Sequence, residues 1–359
     1  MFRKLAGLFL LCLTSLLATA GEVPQYKVLA PISQGKLTVF PIVAASVRDA
    51  SWFLTLDEGV RSGEVIVTEA GQLPMMIRRP QVRPQVRGPQ VNNLVLLNNS
   101  DRPLLLLAGE IVTGGKQDRV IAKDRIIPPH SDPVDLGVFC VEPGRWTGAT
   151  NEFKSMGAQM AQPSVRREAM AKKDQQAVWD SVRSNANEAV EVAAAAAPVA
   201  GMSAGVAGGL RGTTSYARVM GNDAVQKEVD KIAEPVTREY KSLIAELRAK
   251  NAVGVVAAVN GQIVWADIFA SPQLLERYWP KLVRSYAAEA MTTRITYSKV
   301  DVAAAQSFVD SLEGKREVSE TEPGVFRQTE ITGDGYRVFE LTSLLPKTGF
   351  EVHIAKMVQ

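Results

Sequence analysis

Histidine, cysteine and aromatic residues are scarce in this 359-residue chain, which has two of each of the first two and only 6% Phe, Trp and Tyr. His130, in "PPHSDP", and His353, near the end, have no second His or Cys at metal-ligand spacing, so we expect no metal site and no cofactor. Cys12 lies in an apolar N-terminal run, leaving Cys140 as a lone thiol that cannot form an internal disulfide once that run is removed. No G-x-S-x-G, P-loop or dinucleotide fingerprint is present, and "GVAGGLRG" does not follow a strand. Long hydrophobic spans are also missing. The run Leu5–Leu17 is shorter than the roughly 20 residues a membrane helix needs.

That run follows Arg3 and Lys4 and ends in Ala18-Thr19-Ala20, which reads as a secretory signal peptide over residues 1–20. The expected mature protein is exported, periplasmic or extracellular, with no stable membrane span. The leader carries those two cations and no acid, so its removal takes the formal charge from +3 to +1. A balance this near neutral gives no footprint for nucleic acid.

What is present points to an α+β fold: a strand-rich N-terminal half with a mixed or antiparallel sheet, then a helix-hairpin-helix C-terminal half. Residues 25–150 hold β-branched, alternating runs such as "KLTVFPIVA" and "EVIVTEA", and "WFLTLDEGVRSG" adds one short helix closed by Gly63. Residues 78–91, "RRPQVRPQVRGPQV", read as an exposed polyproline-like insertion. From 151 to 295 helical spacing dominates. It is interrupted at 192–210 by an Ala/Gly-rich stretch expected to be a loosely packed linker, and Pro235 is expected to divide two helices. Asn260-Gly261 between two apolar runs is a strong hairpin signal, with Ser271-Pro272 opening a further helix. Residues 296–359 form an α/β extension.

The stretch "LLLLAGEIVTGGKQDRVI", 104–121, carries the polar residues of interest. If Gly114-Gly115 is a two-residue turn, Val112 faces Gln117, Ile111 faces Asp118 and Glu110 faces Arg119. Glu110, Gln117 and Arg119 then share one face. The plain reading is a cross-strand ion pair; the functional one is a ligand site joined by Glu142, Arg145 and Trp146 at the end of "DLGVFCVEPGRW". Cys140 on that strand reads as a buried thiol rather than a nucleophile.

"LAGEIVTGGKQDRVI", "IIPPHSDPVDLGVFCVEPGRW" and "VNGQIVWADIFASPQLLERYWPKLVRSYAAEA" resemble the ADP-ribosylglycohydrolase- and rhodanese-phosphatase-associated protein family, over about residues 30–295. The matching motif positions are Gly109, Glu110, Lys116, Gln117, Arg119, Cys140, Glu142, Gly144, Arg145 and Trp146. Asp118 stands where the family usually has Asn. The resemblance implies an association with ADP-ribose-related chemistry and no particular reaction.

The leading expectation is therefore binding of a small anionic or nucleotide-like ligand by Glu110, Lys116, Gln117, Arg119, Glu142, Arg145 and Trp146. One alternative is a non-catalytic structural or interaction protein of the cell envelope that meets a protein partner. The other is a hydrolase of glycosidic bonds using Glu110 and Glu142 as its carboxylate pair.

Overall fold

The computed structural model describes residues 26–69, 93–144, 150, 152–196, 202–293 and 299–359. Among them the chain is mixed α/β, with three sheets. The Pro/Arg-rich insertion 78–91, Arg145 and Trp146 lie outside the described residues.

The hairpin signal is realised: Ala252–Val259 and Gln262–Phe269 pair with Val259 opposite Gln262. Asn260 and Gly261 both take positive φ, 51° and 72°, as a primed two-residue turn requires. This hairpin is the centre of a nine-stranded antiparallel sheet. On one side it pairs with Leu37–Ala44, and on the other with Glu351–Val358, so residues from both ends of the chain meet across it. Tyr336–Ser343, Phe326–Thr332 and Lys315–Glu322 complete that side. The C-terminal half is thus not the helix-hairpin-helix unit expected from local patterns. After residue 299 it is one helix, Val302–Asp310, and four strands, because strand pairing over long sequence separations outweighs the local grouping.

A six-stranded sheet runs Phe153–Met160, Glu110–Gly114, Arg119–Ile121, Val134–Cys140, Asn93–Asn98, Val65–Glu69. A three-stranded sheet of Arg125–Ile127, Leu104–Leu106 and Leu54–Thr55 packs its apolar face on it through Leu104, Leu106, Val112 and Ile121. The helix Leu56–Ser62 forms where spacing predicted it. It has a Thr55/Glu58 capping box and Gly63 at φ 74° as its left-handed cap.

The helical layer covers the other side. Helix Pro272–Thr292, N-capped by Ser271, packs against helix Asp223–Ser242 and against strands of both large sheets. Pro235 does not divide two helices. It lies inside Asp223–Ser242, where burial of Val225, Val229, Val236 and Tyr240 on one face outweighs the loss of one backbone donor. The Ala/Gly-rich stretch is also more ordered than expected in its described parts. Helix Gln175–Ala195 runs into it, and Ser203 caps a second helix, Ala204–Arg211. Ala193, Met202, Ala207 and Leu210 are buried there, because small residues allow close approach even though they contribute little area each. No helix among the described residues is long and apolar enough to cross a membrane.

Candidate functional site

The register around Gly114-Gly115 differs from the expected one by two residues. Val112 lies opposite Arg119 and Ile111 opposite Val120, so Glu110 does not face Arg119 and Ile111 does not face Asp118. The side chain of Asp118 explains the longer loop. Its Oδ1 accepts from the Gly114 N–H at 3.2 Å, and its Oδ2 accepts from Ser215 Oγ at 3.0 Å. An Asx-type bond of this kind closes a turn by a route that the glycine pair alone does not reveal. The strand Glu110–Gly114 also has Phe153–Met160 on its other edge, with Gly114 opposite Phe153, which carries it past the point where a tight turn would begin.

The remaining motif residues gather around this loop. Gln117 Nε2 donates to the Glu142 carbonyl at 2.9 Å, and the Asp118 N–H donates to Glu142 Oε2 at 3.2 Å. The Lys116 N–H donates to Glu69 Oε1 at 2.9 Å. Arg119 is fully buried, opposite Cys140 on the adjoining strand. Burial pushes the Cys140 thiol up, away from the thiolate form a nucleophile needs. The structure therefore brings Lys116, Gln117, Arg119 and Glu142 together, and it places Glu110 in a different network.

Glu110 belongs with residues far away in sequence. Lys281 Nζ lies 2.5 Å from Glu110 Oε1 and 2.8 Å from Asp57 Oδ2, and Ser155 Oγ donates to Asp57 Oδ1. Burial works against the Lys281 ammonium, yet Glu110 and Asp57 hold its pKa above the ordinary lysine value. One ammonium cannot compensate two carboxylates. Burial, aided by Asp57 and opposed by Lys281, raises the pKa of Glu110.

Beside this triad is a second buried network that the sequence reading missed. Arg166 binds Asp267 in a two-pronged contact, Nη1 to Oδ2 at 3.0 Å and Nη2 to Oδ1 at 2.9 Å, with both side chains fully buried. Tyr286 donates to Asp267 Oδ2, and the guanidinium lies 4.2 Å from the Trp265 ring centroid. His353 sits between two carboxylates, Nδ1 at 2.6 Å from Asp124 Oδ2 and Nε2 at 3.2 Å from Asp267 Oδ1. Arg166, followed by His353, holds Asp267 well below the usual carboxylate range against the effect of burial. One signal could have revealed each network. Trp265, Asp267 and Phe269 alternate along one strand, which puts an aspartate on an apolar face, and Lys281 interrupts a core-facing helical stripe.

The two networks meet on residues 107–109. The strand Leu104–Leu106 stops there, and the backbone needs other partners. Glu110 Oε2 accepts from Leu107 N–H at 2.8 Å, and Asp124 Oδ1 accepts from Ala108 N–H at 2.7 Å. Arg166 Nε donates to the Ala108 carbonyl at 3.1 Å. Gly109, at φ 95°, is required here, since a Cβ would come within 2.5 Å of Arg166 Cγ. The polar residues that follow the leucine run thus hold its backbone in place.

For His353, burial pulls the pKa down, but Asp124 and Asp267 outweigh it and raise it to about 9. A histidine raised above its unfolded value of 6.5 contributes stability that is fully present below pH 6.5 and lost as pH rises through 9. Urea unfolding at pH 6.5 and pH 9 should show a loss on the order of 2–3 kcal/mol that the His353→Gln variant lacks. Equal slopes in both proteins would contradict this.

On the outer side of Asp124 the network borders a cavity of about 450 Å³, lined in part by Lys123, Lys173, Phe139, Phe339, Glu317 and Glu330. It lies under the β-strands Lys315–Glu322, Phe326–Thr332 and Tyr336–Ser343. A π-helical turn, Glu168–Lys172, borders it and ends at Lys173, a non-glycine residue at φ 55°. Lys173 pairs with Glu330 at 2.8 Å. Lys123 is half-buried and has no hydrogen-bond or ion-pair partner among the described residues. Burial and then Arg125 lower its pKa, against the opposing pull of Glu322. Neither Glu110 nor Glu142 lines this cavity.

No curated protein and no solved structure matches the chain. The family model of the ARG and Rhodanese-Phosphatase-superfamily-associated Protein domain, ARPP-1, matches residues 25–355. The match takes in the C-terminal strands that complete the large sheet as well as the motif loop, and the chain belongs to that family.

Proposed function

We propose that this protein binds a small anionic, nucleotide-like molecule in the cavity beside Asp124, in the extracytoplasmic space to which its N-terminal leader would direct it. The observation that carries this reading is Lys123, a half-buried cation that makes no hydrogen bond or ion pair among the described residues and lines this cavity, with Glu322 and two like charges, Arg125 and Lys173, near it. Desolvating a cation that is not directly ion-paired costs free energy, and an anionic ligand offsets that cost. Phe139 and Phe339 offer apolar faces for a ring, while Glu317 and Glu330 are acceptors for sugar hydroxyls. A volume of about 450 Å³ is in the range of small-molecule pockets.

The geometry favours binding over carboxylate-pair hydrolysis. That mechanism needs two carboxyl groups flanking one bond, whereas the Glu110 carboxylate is held by Lys281 and the Leu107 N–H, and the Glu142 carboxylate by the Asp118 N–H. A thermal-shift series with ADP-ribose, adenosine monophosphate and inorganic phosphate tests the proposal. At about 100 times its dissociation constant a bound probe should stabilise the protein by roughly 2.7 kcal/mol. Lys123→Met should weaken that probe by about ten-fold or more, a loss of at least about 1.4 kcal/mol, with little change in the stability of the free protein. No shift with any of the three, or equal shifts in both proteins, would overturn it.

A further inference from the structure

The nine-stranded sheet ends differently on its two sides. At one edge, Gln306 of the helix Val302–Asp310 accepts from the Val28 N–H at 2.7 Å and donates to the Tyr26 carbonyl at 3.0 Å, which partly covers the strand Tyr26–Val28. At the other edge, Lys315–Glu322 pairs only with Phe326–Thr332, and its outer N–H and C=O groups have no partner among the described residues. Every residue from Lys315 to Thr321 is exposed. A bare strand of this length is a template for another strand.

The side chains on that edge are ordered by charge. Lys315 and Arg316 stand at its start, Glu320 and Glu322 at its end, and Val318 lies between them. At 60% exposure Val318 is the most exposed large apolar side chain among the described residues. Arg316, Val318 and Glu320 share one face of the sheet: Arg316 is opposite Ile331, Val318 is opposite Thr329, and Glu320 bonds Arg327, which precedes Thr329 by two.

We propose that Lys315–Glu322 pairs antiparallel with the same strand of a second copy of this chain, joining two sheets across a two-fold axis at Val318. A two-fold axis that continues a sheet stands normal to it, so facing residues come from the same side and one residue faces itself. Centring the pair on any of the charged residues sets like charges directly opposite each other. Centring it on Thr321 leaves only the strand end paired. Centring it on Ser319 puts Val318 against Glu320, and Arg316 against a Glu322 already bonded to Arg125. Centring it on Val318 packs the two valines together and sets Arg316 of each copy opposite Glu320 of the other. Within one copy Arg316 lies 3.6 Å from Glu340 and Glu320 2.6 Å from Arg327, pairs reached by solvent that contribute little and compete weakly.

One strand pair makes a small interface, so association in the micromolar range is expected. Sedimentation velocity of the full chain from about 1 to 300 µM tests the proposal, with amide hydrogen exchange over the same range locating the contact. The mass should rise from monomer toward dimer, and the amides of 315–321 should gain protection as it does. Val318→Lys, at an exposed position, should weaken association by about ten-fold or more while the chain stays folded. Arg316→Glu and Glu320→Arg should each weaken it about ten-fold, and the two together should restore it to within about three-fold of the parent. A monomer at every concentration, a dimer without protection of 315–321, unchanged association in Val318→Lys, or a double variant no better than the singles would each overturn the proposal. Lys123→Met should dimerise as the parent does, so failure here is distinguishable from failure of the cavity beside Asp124.

Discussion

Replacing Asp267 with asparagine should destabilise the fold by about 3–5 kcal/mol, because it leaves the Arg166 guanidinium fully buried without its counter-charge. Arg166 has no route to water: it is packed against Gly109 and Trp265 and bonded to the Ala108 carbonyl. Arg166→Met should cost a similar amount, through the unpaired Asp267 carboxylate and the lost anchor on Ala108. The informative measurement is the double variant. If the two side chains act as one pair, Arg166→Met/Asp267→Asn will fall short of the summed losses by roughly 1–3 kcal/mol in denaturant unfolding. Strict additivity would mean that each residue serves other partners and the two-pronged contact matters little.

Lys281→Met should be as damaging at neutral pH and much less so in mild acid. The methionine fills the space of the lysine stem beside Tyr278 but leaves Glu110, almost fully buried, facing Asp57 with nothing to compensate either. An uncompensated buried pair of this kind should cost about 3–5 kcal/mol when both carboxylates are ionised. A carboxylate whose folded pKa is raised contributes stability that is present at low pH and lost as pH rises through that value. Glu110 is already raised with Lys281 in place, and removing the ammonium raises it further. Thermal unfolding at pH 5 and pH 7.5 should therefore show a small deficit at the lower pH and a large one at the higher. Adding Glu110→Gln should recover part of the loss at pH 7.5. An identical deficit at both pH values would show that Lys281 contributes packing rather than charge.

Both experiments concern contacts that local patterns hide. Reading 104–121 as a hairpin correctly placed two strands and a turn, and it paired Glu110 with the nearest plausible cation. The actual partner is 171 residues away on the helix that Ser271-Pro272 opens. The loop register moved by two because a side chain, Asp118, closes the turn. A shift of two keeps side chains on the same faces, so the hydrophobic pattern is the same for both registers and cannot choose between them. Asp267 was legible in principle, as a carboxylate on the apolar side of "WADIF", although nothing nearby indicates that Arg166 answers it.

By itself the sequence determined the elements whose signals are local. The capped helix Leu56–Ser62, the Asn260-Gly261 hairpin and the Ser271-capped helix follow from turn chemistry and from spacing that matches strand or helix periods. Those signals depend on residues a few positions apart, so no distant segment is needed to read them. Tertiary structure decided what lies far apart in the chain and close together in space. It joined residues 26–44 and 315–358 to the central hairpin in one sheet and placed Lys281 between Glu110 and Asp57. It also set His353 between Asp124 and Asp267. A buried charge must find a counter-charge, but which one it finds depends on the packing that brings distant segments together.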